Sequence, residues 1–348
     1  MKTGGLKTVL LILTLALCSV GLAAQDHVNI DGVVNTLKQR ITLQGYAQLG
    51  YSYNNQGGEE ENTFEVKRLI FMATGQITSR WSCFMMYSFA SSPKLLELYG
   101  DYKVASWLTV RFGQFKPAFT IECPVSPCYV ELINCYSMAT NYLAGVDGSD
   151  PLHGSNSARD IGIAALGEAF GGRLAYQFSL MNGQGINQKD KNNAKDFVGL
   201  LSVKPVDALL LSVSGRVGKG YAAATSDVNP DIAEGQTYTR NRLAAGAKLT
   251  TRHFNLRAEY LQGKDGHVDS RGCYAVTSIH LSKRLDLVAA VDYFDPDTDG
   301  SLLRQTNYVG GLQYWFYPKC RLQAQYTRCC CKAEADYNLV QAQLQVRF

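Results

Sequence analysis

The sequence predicts an all-β chain, a transmembrane antiparallel β-barrel of about sixteen strands. Three observations predict it. Apolar and polar residues alternate over most of the chain, connections alternate between long and short, and the first residues have the layout of an export signal. Residues 1–24 carry Lys2 and Lys7, an apolar run from Val9 to Leu17, and small residues at Gly21, Ala23 and Ala24. This is the pattern of a signal peptide cut after Ala24, and the run is too short to cross a bilayer as a helix. Cys18 follows Leu17 rather than a small residue, which disfavours a lipoprotein signal. Residues 25–40 then form a short periplasmic segment, with Val33, Val34 and Leu37 on one face of an amphipathic helix over 28–40 or a leader without structure.

From residue 41 to 348 the alternation sets in. Ile41, Leu43, Gly45, Ala47 and Leu49 oppose Thr42, Gln44, Tyr46 and Gln48 in the first strand, 41–53. Side chains alternate across a strand, so one face is apolar and the other wet. In a membrane barrel the apolar face meets lipid and the wet face lines the lumen. Strands follow at 64–78, 80–91, 95–105 and 108–115, then at 159–168 and 172–181, where Leu174, Tyr176, Phe178 and Leu180 oppose Arg173, Gln177 and Ser179. The strands 195–204 and 208–218 come next, the latter with Leu211, Val213, Gly215 and Val217 against Ser212, Ser214 and Arg216. In 240–250, Leu243, Ala245, Ala247 and Leu249 face away from Arg242 and Lys248. The remaining six are 252–264, 272–283, 284–294, 304–317, 319–331 and 335–347, and the last sets Val340, Ala342, Leu344, Val346 and Phe348 against Gln341, Gln343, Gln345 and Arg347.

Connections after even-numbered strands are tight, as at Ser79, Ser106-Trp107 and Pro205-Val206-Asp207. Those after odd-numbered strands are mostly long: 54–63, 116–158, 182–194, 219–239, 265–271 and 295–303. That is the rhythm of a barrel with both ends in the periplasm. The longest, 116–158, carries Cys123, Cys128 and Cys135 and a helical turn around Val130 to Met138, and its natural place is folded inward as a constriction. Aromatic girdles are expected at Tyr51, Tyr53, Trp81, Trp107 and Trp315 to Tyr317.

Charge argues against a nucleic-acid partner. The chain has 34 Lys and Arg against 30 Asp and Glu, and loss of Lys2 and Lys7 with the leader takes the net charge from +4 to +2. Nine of the ten cysteines remain after cleavage, an odd number that cannot all pair internally. The spacing of Cys123, Cys128 and Cys135 lacks a paired C-x₂-C layout, so no metal or cofactor is expected.

One stretch is more specific. Val110-Arg111-Phe112-Gly113-Gln114-Phe115-Lys116-Pro117-Ala118-Phe119, with Glu122 after it, resembles the phosphate-selective porin O and P family. Leu98-Tyr99-Gly100-Asp101-Tyr102-Lys103, Phe64-Glu65-Val66-Lys67-Arg68-Leu69 and the terminal Phe348 are similar to the same family, although Lys67 stands where it commonly has an arginine. The resemblance implies an outer-membrane porin of a Gram-negative bacterium, usually trimeric, with sixteen strands, the third outer loop bent into the pore, and a preference for anions. The expected partners are small hydrophilic solutes or anions and outer-membrane lipid.

In such a channel the chemistry lies in the charges at the narrowest point. Arg111, Lys116, Arg173, Arg216, Arg242, Lys248, Arg257 and Arg321 are the basic residues expected to line the pore, with Glu65, Glu97, Asp101 and Glu259 opposing them. Ion pairing along the wall is the alternative for each. Two other function classes compete. His280-Leu281-Ser282 has the His-x-Ser spacing of outer-membrane phospholipase A, but the alternation turns both side chains into the lumen. A surface barrel serving as adhesin or receptor is compatible with the outer loops. Asp295-x-Asp297-x-Asp299-Gly300 opens like a calcium loop but has Thr306 where Glu is required. No catalytic residue is expected.

Overall fold

The computed structural model describes residues 40–348 apart from 91, 147–150, 155 and 301–302. The leader 1–24 and nearly all of segment 25–40 lie outside the described residues. Sixteen strands form one closed antiparallel barrel: β1 (Ile41–Asn54), β2 (Glu61–Gln76), β3 (Trp81–Ser88), β4 (Lys94–Ala105), β5 (Leu108–Phe115), β6 (Asp160–Ala169), β7 (Leu174–Met181), β8 (Asp196–Val206), β9 (Leu209–Tyr221), β10 (Thr237–Thr250), β11 (Phe254–Asp265), β12 (Val268–His280), β13 (Leu285–Asp295), β14 (Gln305–Tyr317), β15 (Cys320–Cys331) and β16 (Tyr337–Arg347). Each pairs with its sequence neighbours, and β1 pairs with β16 from Tyr46↔Arg347 to Asn54↔Leu339, so no edge is left open.

At the seam, Gly45 and Phe348 exchange both backbone hydrogen bonds, at 3.1 and 3.0 Å. The Phe348 ring then lies over Gly45, where a Cβ would come within 2.5 Å of it. Only glycine fits under that ring.

The alternation is realised as expected. Val213 and Val217 are exposed on the outer face of β9, while Ser214 on the inner face is buried. Trp81, Trp107, Phe170 and Tyr317 are exposed beside the short turns, an aromatic rim at one end of the barrel. Trp315 is not part of it. Odd positions of β14 face inward, and its indole Nε1 donates to Asp286 at 2.9 Å.

Two further expectations need correction. Residues 265–271 are not a long loop, because β11 runs to Asp265 and β12 starts at Val268 around a two-residue turn. Gly266, at φ +61°, makes that turn possible. The loop helix is α1 (Met138–Ala144), beyond the stretch expected to be helical. Ser137 sets its start by accepting from the Thr140 amide at 3.1 Å, and Gly145 ends it in the left-handed region.

Inside the barrel, α1 contacts β11, β12 and β13. Ala139, Tyr142 and Leu143 pack with Leu261, Tyr274, Val276, Val288, Ala290 and Phe294. A second cluster gathers Cys128 with Tyr46, Ile70, Met72, Met86 and Leu96. The lumen therefore holds an apolar core, made by the loop 116–159 against inward-facing wall residues.

Candidate functional site

The loop is launched by the motif at β5. Asp101 and Arg111 stand opposite each other in register, and the guanidinium meets the carboxylate through two bonds of 2.8 and 2.9 Å. Arg111 also lies 3.8 Å above the Tyr99 ring centroid, so it is fixed from two sides. Gly113 takes φ +138°, and a Cβ there would approach Leu98 O to 2.3 Å. Gln114 then ties the loop after β7 to the wall, accepting from Asn187 N at 2.7 Å while donating to Leu96 O of β4 at 2.9 Å. Lys116 is buried, and its Nζ donates to Cys123 O at 2.6 Å and to the Tyr136 hydroxyl at 2.8 Å. Burial, with Arg159 nearby, pushes its pKa down to about 8. Burial also raises the Tyr136 hydroxyl and the Cys123 and Cys135 thiols.

From there the loop is gripped by inward-facing side chains around the lumen. Ser214 accepts from Thr120 N at 3.0 Å, Glu259 from Ile121 N at 2.7 Å and Asp292 from Met138 N at 2.8 Å. Glu122, fully buried, accepts from Ser137 N at 2.8 Å and pairs with Arg257 at 3.5 Å. Arg257 also pairs with Glu131 at 3.1 Å. Farther round the ring, on β15 and β16, most of the holders are amides. Gln325 accepts from Ile133 N and donates to Glu131 O, both at 2.8 Å, Gln323 donates to Glu131 O at 2.9 Å, and Gln345 to Cys128 O at 3.1 Å.

The expected pore-lining residues thus divide. Arg242 makes two 2.8 Å bonds to Asp265 and one of 3.2 Å to Leu143 O of α1. Arg216 shares Asp196 with Arg240, whose own contact is 2.7 Å. Arg321 is buried on neutral acceptors, Gln313 at 2.9 Å, Val130 O at 2.7 Å and Gln345 at 3.2 Å. Arg173 stands in the turn before β7, half-exposed and 3.2 Å from Asp207. Lys248 is exposed on the inner face of β10, opposite Arg257 in register. Of the opposing acids, Glu65 pairs with Lys67 at 3.4 Å and Glu97 with Arg159 at 2.8 Å.

Arg159 and Arg240 escaped the sequence reading. Arg240 was visible, two residues from Arg242 and so on the same face of a strand that begins earlier than expected. Together Arg159, Arg216, Arg240 and Arg242 line a cavity of about 20 Å³ between the loop and the wall, with Asp160 and His153 beside them. That holds about one water. Wider spaces lie on either side: about 450 Å³ at the long-loop end, bordered by Met138 and Tyr142, and about 690 Å³ at the short-turn end, bordered by Tyr129, Glu131 and Arg321.

His280 and Ser282 are committed elsewhere. The imidazole Nδ1 is 2.8 Å from Asp286, and Nε2 is 3.3 Å from the Asn255 amide nitrogen. Ser282 Oγ accepts from the backbone of Arg284 and Leu285 at its turn. Nucleophilic catalysis needs the two side chains together, and here they serve separate partners.

No family model matches the chain, and no curated protein matches it. Solved structures do. The anion-selective porin from Comamonas acidovorans aligns over 88% of this chain and 99% of its own, with 13% identity and a TM-score of 0.68. OprB of Pseudomonas putida aligns over 92% and 97%, with 10% identity and a TM-score of 0.67. The trimer form of OmpT from Vibrio cholerae aligns over 89% and 100%, with 11% identity and a TM-score of 0.63. At these identities the likeness is one of architecture: the chain has the sixteen-strand barrel fold of the outer-membrane porins.

Proposed function

We propose that the protein is an outer-membrane porin, a water-filled diffusion channel for small hydrophilic solutes with a preference for anions. The observation that carries the reading is the loop 116–159, seated across the lumen between two wider vestibules and bordered there by four arginines. In this reading the apolar outer face meets lipid, the short turns lie in the periplasm, and residues 1–24 are an export leader. Anion preference is supported by an asymmetry of charge. The constriction arginines are paired with carboxylates, whereas Lys103, Lys248, Arg252 and Lys283 are exposed cations at the periplasmic end. Such unpaired charges set the potential a permeating ion meets. The motif from Arg111 to Lys116 gives phosphate as the solute to try first, and the fold shared with the trimer form of OmpT gives a homotrimer as the expected assembly. No catalytic role is assigned to any residue.

The narrowness of the arginine-lined cavity favours a second reading, a closed barrel acting as a surface receptor. Planar-bilayer recording of the folded protein under a potassium chloride gradient separates the two. Stepwise conductance with a reversal potential on the chloride side is expected, moving toward zero in Lys248→Gln. Folded protein without conductance steps would remove the channel and leave the receptor.

A further inference from the structure

Three cysteines follow one another at the end of β15, and alternation sorts them. Odd positions of this strand face inward, as buried Arg321, Gln323, Gln325 and Thr327 do. Cys329 and Cys331 therefore share the lumen face, and Cys330 points the other way. Cys329 is 2% exposed, opposite Asn307 on β14 and Tyr337 on β16. Cys331 borders the outer vestibule together with Met138, Glu334 and Tyr337. Asn307 Nδ2 lies 3.3 Å from the Met138 sulfur, which holds that thioether at the same vestibule. Both thiols are free. The vestibule is thus bordered on one side by sulfur.

We propose that Cys329 and Cys331 form a two-coordinate thiolate site for a soft monovalent or divalent d¹⁰ cation, of the class of Cu(I), Ag(I) or Hg(II), entering from the outer vestibule. Thiolate and thioether ligands select soft ions. The ligand number narrows the class further. Among the described residues no three His, Cys, Asp or Glu side chains converge, so the four-coordinate cage that zinc takes is not offered. Two thiolates suit ions that accept a linear pair. Same-face neighbours on a strand stand about 6.6 Å apart. A linear sulfur–metal–sulfur unit spans about 4.6 Å, taking a metal–thiolate bond of about 2.3 Å. Each sulfur then leans inward by about 1 Å, within reach of a χ1 adjustment. Binding converts two thiols and one cation into a bridged pair and releases two protons, with no change of oxidation state. The site does not depend on whether the barrel conducts.

The experiment is a titration of the folded full-length protein with silver nitrate in chloride-free buffer, following ultraviolet absorbance of the silver–thiolate and the protons released. The other thiols contribute a background, so the difference between variants is read. After exchange against an excess of a competing monothiol, which strips silver from single thiols, wild type and Cys330→Ser are each expected to retain one silver ion per chain, and Cys329→Ser and Cys331→Ser none. Equal retention by wild type and both inward variants would overturn the site, as would an equal loss in Cys330→Ser. A measurement on unmutated protein covers the case of a misfolded variant. One equivalent of silver should slow alkylation of Cys329 and Cys331 at least tenfold, read by mass spectrometry of the peptides. Unchanged labelling of both rejects the proposal.

Discussion

Two walls of the barrel hold the same loop by different chemistry. On β10 to β13 the holders are ionic: Arg242 on Asp265, Arg257 between Glu122 and Glu131, and the carboxylates of Glu259 and Asp292 on loop amides. On β1, β15 and β16 the holders are neutral amides, apart from Arg321, which donates to Val130 O at 2.7 Å. Gln48 donates to Gln345 at 2.9 Å, Gln343 to Gln323 at 2.9 Å, and both Gln323 and Gln325 reach Glu131 O. A buried ion pair is costly to form and far more costly to break on one side, because the remaining charge is stranded. An amide loses only its own hydrogen bonds. The ionic wall should be brittle and the amide wall forgiving.

Arg257→Met should show the largest effect. It leaves Glu122 and Glu131 without their shared cation, and loss of one partner of a buried pair costs about 3–5 kcal/mol. Faster backbone exchange over the stretch from Thr120 to Met138, with the strands unchanged, is the expected readout. Exchange as slow as wild type would break the contrast between the walls.

The middle effect is one of pH and belongs to Lys116. Its folded pKa, about 8, lies below the ordinary lysine value of 10.5. Below pH 8 both folded and unfolded chains hold the proton, and the cost of the buried charge is fully present. As pH rises from 8 toward 10.5 the folded form sheds its proton first, so the loop seat gains stability over that window. Thermal unfolding of the wild type relative to Lys116→Met should show this gain between pH 7.5 and 10, since the methionine has no such proton to lose. Parallel profiles would mean that Lys116 keeps its proton throughout.

Gln325→Leu should show the smallest effect. It frees one buried amide, Ile133 N, at a cost of about 1–3 kcal/mol, while Glu131 O keeps Gln323. Loop exchange as fast as in Arg257→Met would erase the distinction.

The strands were legible because a two-residue period leaves its mark on every one of them, and β16 shows it from Val340 to Val346. What the alternation hid was the second use of the inner face. Val288 and Ala290 point inward from β13 while Leu287 and Val291 point outward, so the run is apolar on both sides. A strand of that kind is covered twice, and the run was itself the sign that something packs inside. The partners of the arginines were less accessible. Asp265 reaches Arg242 only because the hairpin turns at Gly266, in residues read as a long loop. The motif from Arg111 to Lys116 marked where the loop begins, but its parts brace the loop's base, with Arg111 on Asp101 and Lys116 on Cys123 O. Arg159 lies at the far end of a loop whose path no local pattern fixes.

The loop leaves the wall after Phe115 and returns at Asp160, and those two residues face each other in register. Its two ends are therefore neighbours in the ladder, and no strand-to-strand bond is spent on its route. Doubling the length of such an excursion costs only about 0.6 kcal/mol in closure entropy. A longer or shorter loop between these two posts would leave the cylinder's strand pairing as it is. The cylinder's ladder is thus indifferent to the length of what fills it, and the width of the bore is set by the loop alone.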